Sequence, residues 1–298
     1  MIVDHLKVFV TVVDQQNFSK AAEELFISQP AVSVHIRNLE NELGCKLINR
    51  TSKQLILTQA GEILYRNAKQ MLKLYDDAKI QINDLKSGIT GTLKIGASFT
   101  IGEYILPRVL AEYVEQYPNV NVEVSIANTE EVLQAVKGGI DLGLVEGQVT
   151  LPELKKQSFV EDEMVIIVPV DHHLAKQRVI SNTDILQDQT WILREVGSGT
   201  RAFSETLIQD LNLRVKRTYV FSSSQGVKES VITGLGIALV SSFIVHKEVE
   251  KGELIPLRIK GRKIVRKLFY VQRRDMTTSK VIAAFVEKIK EYGPDTPI

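Results

Sequence analysis

Residues 18–61 read FSKAAEELFISQPAVSVHIRNLENELGCKLINRTSKQLILTQAG, and they contain two short helical patterns followed by a small basic hairpin. Ser19 stands where it can cap a first helix over Lys20 to Phe26. A short turn leads to Ser28, a favourable cap for a second helix. Pro30 falls in the first turn of that helix, where its missing N–H costs little. The stretch therefore predicts two helices joined by a tight turn.

The second helix has an apolar face and a polar face. Val32, Ile36, Leu39 and Leu43 recur at helical spacing, which predicts that they are buried together. Gly44 ends the helix, because Gly accepts the left-handed conformation that follows a helix C-terminus. The residues suited to base edges, thymine methyl groups or phosphates are Ser28, Gln29, Pro30, Ser33, Val34 and Arg37.

A hairpin follows the second helix. Strand patterns over Lys46 to Arg50 and Gln54 to Thr58 flank a turn at residues 51–53. Arg50 and Lys53 lie at its tip, where a wing can reach phosphates or the minor groove. The stretch therefore predicts a winged helix-turn-helix, which places one helix in the DNA major groove. An ordinary helical hairpin with a solvated basic loop has the same short pattern.

A long helical pattern begins after Thr58 and runs to about Ser87. Its apolar residues alternate at spacings of 4 and 3, which predicts a coiled-coil seam of Leu64, Ala68, Met71, Tyr75, Ala78, Ile82 and Leu85. A helix that joins two domains has little else to pack against, so we interpret it as a dimer stalk. The predicted dimer contacts are Leu64, Ala68, Met71, Tyr75 and Ile82.

Strand and helix patterns alternate from residue 91 onward and form two α/β units. Met164 to Val168 is an almost continuous apolar run, which indicates a buried parallel strand. We therefore expect a DNA-binding domain at 1–58, a linker helix and hinge at 59–90, and an effector domain at 91–298. Its lobes are placed at about 91–161 with 266–298 (lobe 1) and about 162–265 (lobe 2).

Two loops follow strands at corresponding positions of the two units. Loop 1 is Ser98 to Gly102, and loop 2 is Glu195 to Arg201. Ligands bind beyond the carboxyl ends of strands in such sheets, and hydroxyls and N–H groups at helix N-termini suit an anion. Simple capping explains one such loop, whereas two in equivalent positions predict a binding crevice. The effector-binding candidates are Ser98, Thr100, Asn128, Gly197, Ser198, Gly199, Thr200 and Arg201. Thr129 and Glu146 are neighbours, and Glu146 would disfavour an anion unless it pairs with Arg201.

Composition limits the class of protein. A chain of 298 residues suits two or three domains. The net charge is +1, and residues 1–90 hold 11 basic against 10 acidic residues, so DNA affinity would rely on few phosphate contacts and on dimerisation. Cys45 is the only cysteine, which excludes an internal disulfide; we interpret it as a small hydrophobic residue. Without a signal pattern or a long apolar run, we expect a cytoplasmic protein.

Motifs for metal binding and catalysis do not occur in the sequence. The histidines show no HxxxH or HExxH spacing, and no CxxC, GxSxG or phosphate-loop pattern is present. We therefore expect no catalytic residue, no metal site and no cofactor. Two other classes share the two-lobed scaffold: a solute-binding protein that serves a transporter, and an enzyme.

The segment AAEELFISQPAVSVHIRNLENELGCKLINR (residues 21–50), with LILTQAG (55–61), resembles the DNA-binding domain of LysR-type transcriptional regulators. Val34 and His35 stand where that family usually has a basic or polar residue, and Ile48 replaces an aromatic one. The resemblance extends over the whole chain and implies a periplasmic-binding-protein-like, two-lobed α/β effector domain. It also implies a homodimer or homotetramer that binds double-stranded operator DNA and a small effector, with RNA polymerase as a further candidate partner.

The sequence REVGSGTR (residues 194–201) is similar to the regulators of sulfur assimilation within this family and, more distantly, to those of carbon dioxide fixation. This resemblance implies a small anionic effector, either a sulfur oxoanion such as sulfite or sulfate, or a small carboxylate.

Overall fold

The computed structural model describes residues 2–50, 55–86, 88–147 and 151–292. The chain divides into two compact units, Met1–Ser87 and Gly88–Ile298. None of the helices in these ranges combines the length and the apolar character that crossing a membrane requires.

The first unit begins with the helices α1 (Ile2–Gln15), α2 (Phe18–Glu24) and α3 (Gln29–Leu43). Asn17 caps α2, because its side chain accepts hydrogen bonds from the N–H groups of Ser19 and Lys20. The prediction of Ser19 as the cap is therefore wrong. α2 also ends at Glu24, before Phe26, whose φ of 54° lies in the left-handed region.

The start and the end of α3 agree with the sequence pattern. The Ser28 side chain accepts a hydrogen bond from the N–H of Ala31, and Gly44 has a φ of 64°. The buried residues of α3 are Val32, Ile36 and Leu39. Leu43 is 48% exposed, so its assignment to the core is wrong; the apolar cluster of this unit reaches α3 only as far as Leu39. Cys45 is exposed as well and is not a packing residue.

The wing is a short antiparallel hairpin of β1 (Ile48–Arg50) and β2 (Leu55–Leu57). Residues 51–54, including the predicted tip residue Lys53, lie outside the described residues. Helix α4 (Gln59–Lys86) follows. Its cap is Thr58, whose Oγ1 accepts a hydrogen bond from the N–H of Gly61 at 3.0 Å.

The second unit alternates strands and helices. Its strands are β3 (Gly91–Ser98), β4 (Val120–Ala127), β5 (Leu142–Glu146), β6 (Leu154–Pro169), β7 (Val179–Ile180), β8 (Gln189–Arg194), β9 (Val215–Phe221), β10 (Ala238–Ser241), β11 (Leu254–Ile259) and β12 (Val265–Arg273). Its helices are α5 (Leu106–Gln116), α6 (Thr129–Gly138), α7 (Gly199–Asp210), α8 (Ser224–Ile232), α9 (Ser242–Glu250) and α10 (Lys280–Glu291). A π-helical turn (Ile101–Ile105) precedes α5, and a 3-10 turn (Thr183–Leu186) precedes β8.

Strands β6 and β12 connect the two strand groups of this unit. β6 pairs with β12 from Leu154 to Glu163 and with β10 and β11 from Met164 to Pro169, and all these pairings are antiparallel. The segment Met164 to Val168 is buried as predicted, but the prediction of a parallel strand is wrong, because its neighbours run in the opposite direction. The strand order in the described residues is β4-β3-β5-β12-β6-β11-β7, with β10 paired to β6.

Parallel strands bring the candidate effector loops to common edges. β3, β4 and β5 run parallel and end at Ser98, Ala127 and Glu146. β8 and β9 form a second parallel pair, which ends at Arg194 and Phe221. Loop 1 therefore leaves the sheet beside Glu146, and loop 2 follows the end of β8.

Candidate DNA-binding and effector sites

The DNA-binding candidates on α3 lie on the side away from the core. Gln29, Pro30, Val34 and Arg37 are exposed, and Ser33 is half-buried. Gln29 Nε2 donates a hydrogen bond to Ser33 Oγ at 3.1 Å. The Arg37 guanidinium has no hydrogen-bond or ion-pair partner within the described ranges, so it is available to a base or a phosphate. The exposed Val34 side chain suits contact with a thymine methyl group.

His35 joins the recognition helix to α1. Its Nδ1 lies 2.7 Å from Nδ1 of His5, so one of the two nitrogens donates and the other accepts. Burial, reinforced by the nearby His5, lowers the pKa of His35. This position departs from the family pattern, and the structure assigns it to packing between helices. The sequence alone did not indicate the contact, because the partners are 30 residues apart.

The predicted dimer seam on α4 divides into two parts. Ala68 is fully buried in the core of its own unit, and Leu64 packs against the same core. Further along the helix, Met71 is 53%, Tyr75 38% and Ile82 52% exposed. Ala68 and Leu64 therefore pack within their own unit, whereas Met71, Tyr75 and Ile82 expose apolar surface.

Arg266 lies at the centre of the effector region, although its sequence motif did not predict a site residue there. Its side chain is fully buried. Nε donates to Asp162 Oδ2 at 2.7 Å, Nη1 donates to Thr200 Oγ1 at 2.9 Å, and Nη2 donates to Thr100 Oγ1 at 3.1 Å. Nη2 also lies 2.9 Å from Glu146 Oε2. One guanidinium thus contacts loop 1, the first turn of α7, β5 and β6.

Two carboxyl groups share this guanidinium. Burial is the largest influence on Asp162 and raises its pKa, although Arg266 and a hydrogen bond from Ser241 Oγ at 2.6 Å act against it. Burial lowers the pKa of Arg266, but Glu146 and Asp162 outweigh that effect, and the pKa is raised. The guanidinium therefore stays charged.

Glu146 pairs with Arg266 and not with Arg201, which corrects the pairing considered from the sequence. Its Oε1 accepts a hydrogen bond from Thr200 Oγ1 at 3.1 Å. Its Oε2 forms the ion pair with Arg266 Nη2 and has no hydrogen bond to the described residues. A buried carboxylate oxygen is therefore left with an ion pair but without a hydrogen bond.

Two of the predicted effector residues already have structural partners. Arg201 Nε donates to Glu205 Oε1 at 2.7 Å, and Nη1 donates to the carbonyl oxygen of Arg194 at 3.0 Å. Asn128 caps α6, because its Oδ1 accepts a hydrogen bond from the N–H of Glu131 at 3.0 Å. Two nitrogen atoms of the Arg201 guanidinium are therefore already engaged, so Arg201 does not offer a ligand the free forked donor that the sequence suggested.

The two serines of the loops are buried and have hydroxyls without partners. Ser98 is 1% and Ser198 5% exposed, and neither Oγ has a hydrogen bond to the described residues. Ser198 precedes α7 but does not cap it through its side chain. A buried hydroxyl without a partner costs about 1–3 kcal/mol. Both positions are therefore candidates for a bound ligand.

A groove of about 700 Å³ runs between α6 and α7. Thr129, Glu146, Ser198 and Arg201 are among its lining residues. Thr100 is not among them, and the hydroxyls of Thr100 and Thr200 contact Arg266 instead. Of the four hydroxyl residues of the two loops, Ser198 lines the groove, Thr100 and Thr200 contact Arg266, and Ser98 does neither.

Two glycines let loop 2 approach the strand ends. A Cβ on Gly199 would lie 2.4 Å from the carbonyl oxygen of Glu146, so a side chain there would clash with the backbone. Gly197 has a φ of 89°, which favours Gly, and its carbonyl accepts a hydrogen bond from the N–H of Glu130 at 3.2 Å. Loop 2 is therefore held against the start of α6.

A sequence signal for Arg266 was present in its strand. Arg266, Leu268 and Tyr270 alternate along β12, and all three are buried. An arginine on the apolar face of a strand requires charged or hydrogen-bonding partners. Within the described part of the chain, no group of three or more His, Cys, Asp or Glu residues could hold a metal ion.

Comparisons with known proteins agree with this architecture. The family described as "Bacterial regulatory helix-turn-helix protein, lysR family" matches residues 3–62, and "LysR substrate binding domain" matches residues 86–294. The HTH-type transcriptional regulator CysL of Bacillus subtilis (strain 168) is 44% identical, over 97% of this chain and 97% of its own.

Solved structures give the same result for the fold. The CcmR regulatory domain of Synechocystis PCC6803, solved in complex with 2-PG, is 26% identical with a TM-score of 0.64, covering 70% of this chain and all of that one. A full-length OxyR variant from Pseudomonas aeruginosa has a TM-score of 0.73 at 21% identity, covering 97% of this chain and 95% of that one, and shows the fold alone. The matched proteins are regulators and not enzymes. With an N-terminal helix-turn-helix and a two-lobed effector domain, this chain belongs to the LysR family of transcriptional regulators.

Proposed function

We propose that this regulator binds an operator as a homodimer or homotetramer and that a small anion between the two lobes controls its DNA contacts. The observation that carries the effector proposal is the pair of buried, unpartnered hydroxyls of Ser98 and Ser198. They lie on two loops whose neighbouring threonines, Thr100 and Thr200, bind the same Arg266. The protein would act in the cytoplasm, where its DNA is, and RNA polymerase is a further candidate partner.

Dimerisation through α4 accounts for the exposed apolar residues of that helix. α4 has 28 residues, which corresponds to a length of about 40 Å. Met71, Tyr75 and Ile82 keep the spacing of a coiled-coil seam and remain uncovered within their own unit. A two-fold axis along this seam would present two recognition helices to a pseudo-palindromic site.

The effector domain offers a second surface for self-association. β4 is the edge strand of the sheet in the described residues, and its Val124 and Ile126 are each 41% exposed. Val220 on β9 is 53% exposed. Unpaired strand edges with apolar side chains favour pairing with another chain. These edges support a tetramer built from two dimers.

A small anion fits the donors of the crevice. The serine hydroxyls can donate, and the N–H groups of Gly199 to Arg201 at the start of α7 add a favourable helix dipole. Thr100 Oγ1 accepts from Arg266, so its own hydrogen is free to donate, whereas Thr200 donates to Glu146. A sulfur oxoanion and a small carboxylate both match these donors. The CcmR regulatory domain, solved with 2-PG, supports a small-molecule role for this domain.

Arg37→Ala tests the orientation of the recognition helix. Because Arg37 is exposed and unpaired in the described structure, its loss should weaken operator binding by roughly 1–3 kcal/mol if it reads a guanine.

Lys53→Ala should weaken binding to all DNA sequences alike and reduce the salt dependence of binding. Gel-shift titrations at several salt concentrations measure both, with Arg66→Ala as an exposed control on α4. Normal operator affinity of Arg37→Ala would show that the helix is oriented differently.

Met71→Glu tests the dimer seam. A charge at the centre of an apolar interface must be desolvated, so we expect monomers or misassembled species in analytical ultracentrifugation. Gln70→Glu adds the same charge to the neighbouring position, outside the predicted seam, and should leave the assembly unchanged. If Met71→Glu sediments like the wild type, the interface lies elsewhere on the chain.

Ser198→Ala tests the effector crevice. The hydroxyl has no partner in the described residues, so its removal should leave the fold intact. Effector affinity should fall by roughly 1.5–3 kcal/mol, the value of a hydrogen bond to a charged group. Isothermal titration with sulfite, sulfate, thiosulfate and phosphate measures this, and operator binding without effector should persist. Thr206→Val, in the same groove, is the control. If Ser198→Ala and the wild type bind the effector with equal affinity, Ser198 does not belong to the effector site.

A further inference from the structure

Six of the described helices end in the same hydrogen-bonded turn. In α2, the N–H of Phe26 donates to the carbonyl oxygen of Glu23 at 3.2 Å, and the N–H of Ile27 donates to that of Ala22 at 3.0 Å. The residue at the position of Phe26 has a positive φ in this turn, a conformation that favours Gly and tolerates Asn. At the ends of α3, α6, α7, α8 and α9 the same position holds Gly44, Gly139, Asn212, Gly234 and Gly252.

Phe26 departs from this rule at a cost to stability. A bulky side chain crowds the backbone at its φ of 54°, and the other non-glycine residues with positive φ in the described ranges are the polar Gln16, Asp188 and Asn212. The ring gains no packing in return, because Phe26 is 95% exposed, the highest value among the large apolar residues that the structure describes. The neighbouring Leu25 already anchors the turn to the core. The fold of this unit therefore gives no reason for a phenylalanine here.

The ring lies beside the start of α3. Ser28 caps α3 two residues after Phe26, and two residues of chain span at most about 7 Å. In a helix-turn-helix, the N-terminal residues of the recognition helix contact the base edges. Ile27, Ser28 and Gln29 are exposed as well, so Phe26 extends the predicted DNA-binding surface.

DNA offers apolar groups to such a ring. A phenyl group cannot pair with a phosphate, but it packs against the C–H groups of deoxyribose or against the methyl group of thymine. Such a contact neutralises no phosphate and releases no counterion, in contrast to a contact made by Arg or Lys.

We propose that Phe26 is a DNA-contact residue whose ring packs on the apolar C–H surface of the operator beside the start of α3. This inference rests on the proposed docking of α3 in the major groove. The strained backbone and the exposed ring then have one explanation, because the side chain that weakens the turn in the free protein is buried in the complex with DNA.

Phe26→Gly should move stability and DNA affinity independently. Gly suits the left-handed turn, so the amides of α2 and α3 in the full-length variant should exchange with deuterium no faster than those of the wild type. The Kd for the operator should rise at least about tenfold, because burial of a phenyl ring is worth at least one such step in affinity. Gel-shift titrations should also show an unchanged slope of log Kd against log salt concentration.

Two variants serve as controls for the ring and for the backbone. Phe26→Tyr keeps an aromatic ring in the same turn and should retain the affinity of the wild type. Asn212→Gly makes the same backbone change in the equivalent turn after α7 and should leave operator binding unchanged.

Operators with deoxyuridine in place of single thymines identify the group that the ring contacts. A position whose methyl group matters to the wild type but not to Phe26→Gly assigns the contact to thymine. If every position affects the two proteins equally, the contact is with deoxyribose.

The outcomes separate this inference from the docking on which it rests. If Phe26→Gly binds the operator as tightly as the wild type while Arg37→Ala binds it more weakly, the ring does not contact DNA, and the docking of α3 stands. Faster exchange in Phe26→Gly, or an equal loss of affinity in Phe26→Tyr, would assign the effect to the fold of the turn and would also refute the contact. If neither Phe26→Gly nor Arg37→Ala weakens binding, both proposals fail.

Discussion

The guanidinium of Arg266 is the contact on which the effector domain depends. Arg266 and Asp162 are direct cross-strand partners on β12 and β6, the two strands that connect the strand groups. The same group binds Thr100 and Thr200, which belong to the two loops of the crevice. A buried ion pair of this kind adds little stability compared with apolar residues, but breaking it is expensive, because a carboxylate is left buried without its cation. The contact therefore fixes the position of both loops relative to the strand crossing.

The anion site that we propose does not rely on surplus positive charge. The cation nearest to the loops is already shared by two carboxyl groups, and Arg201 is engaged by Glu205 and a carbonyl oxygen. What remains for a ligand are neutral donors, chiefly Ser98 and Ser198, and the backbone N–H groups of α7. Neutral donors in a dry site stabilise a small anion well. The crevice thus owes its polar character to neutral hydrogen-bond donors and not to net positive charge.

Local patterns predicted much of the fold, and non-local contacts account for the errors. Ser28 and Gly44 bound α3 as expected, because caps act within a few residues. The loops at the ends of β3 and β8 were predictable, because alternating strands and helices place such loops at sheet edges. Arg266 was missed because its partner Asp162 is 104 residues away, and strand register is not visible in either segment alone. The same limit explains why the buried run in β6 was predicted as parallel, although its neighbours β10 and β11 are antiparallel.

Urea unfolding followed by the fluorescence of Trp191 tests the role of Arg266 most directly, because Trp191 is the only tryptophan and is fully buried in the effector domain. Arg266→Met should lower the free energy of unfolding by roughly 3–5 kcal/mol, since Asp162 and Glu146 lose their shared cation. Arg262→Met removes an exposed ion pair with Asp210. We expect this variant to change the free energy of unfolding by less than about 1 kcal/mol. If Arg266→Met unfolds at the same urea concentration as the wild type, with an unchanged slope, the buried guanidinium does not hold the crevice together.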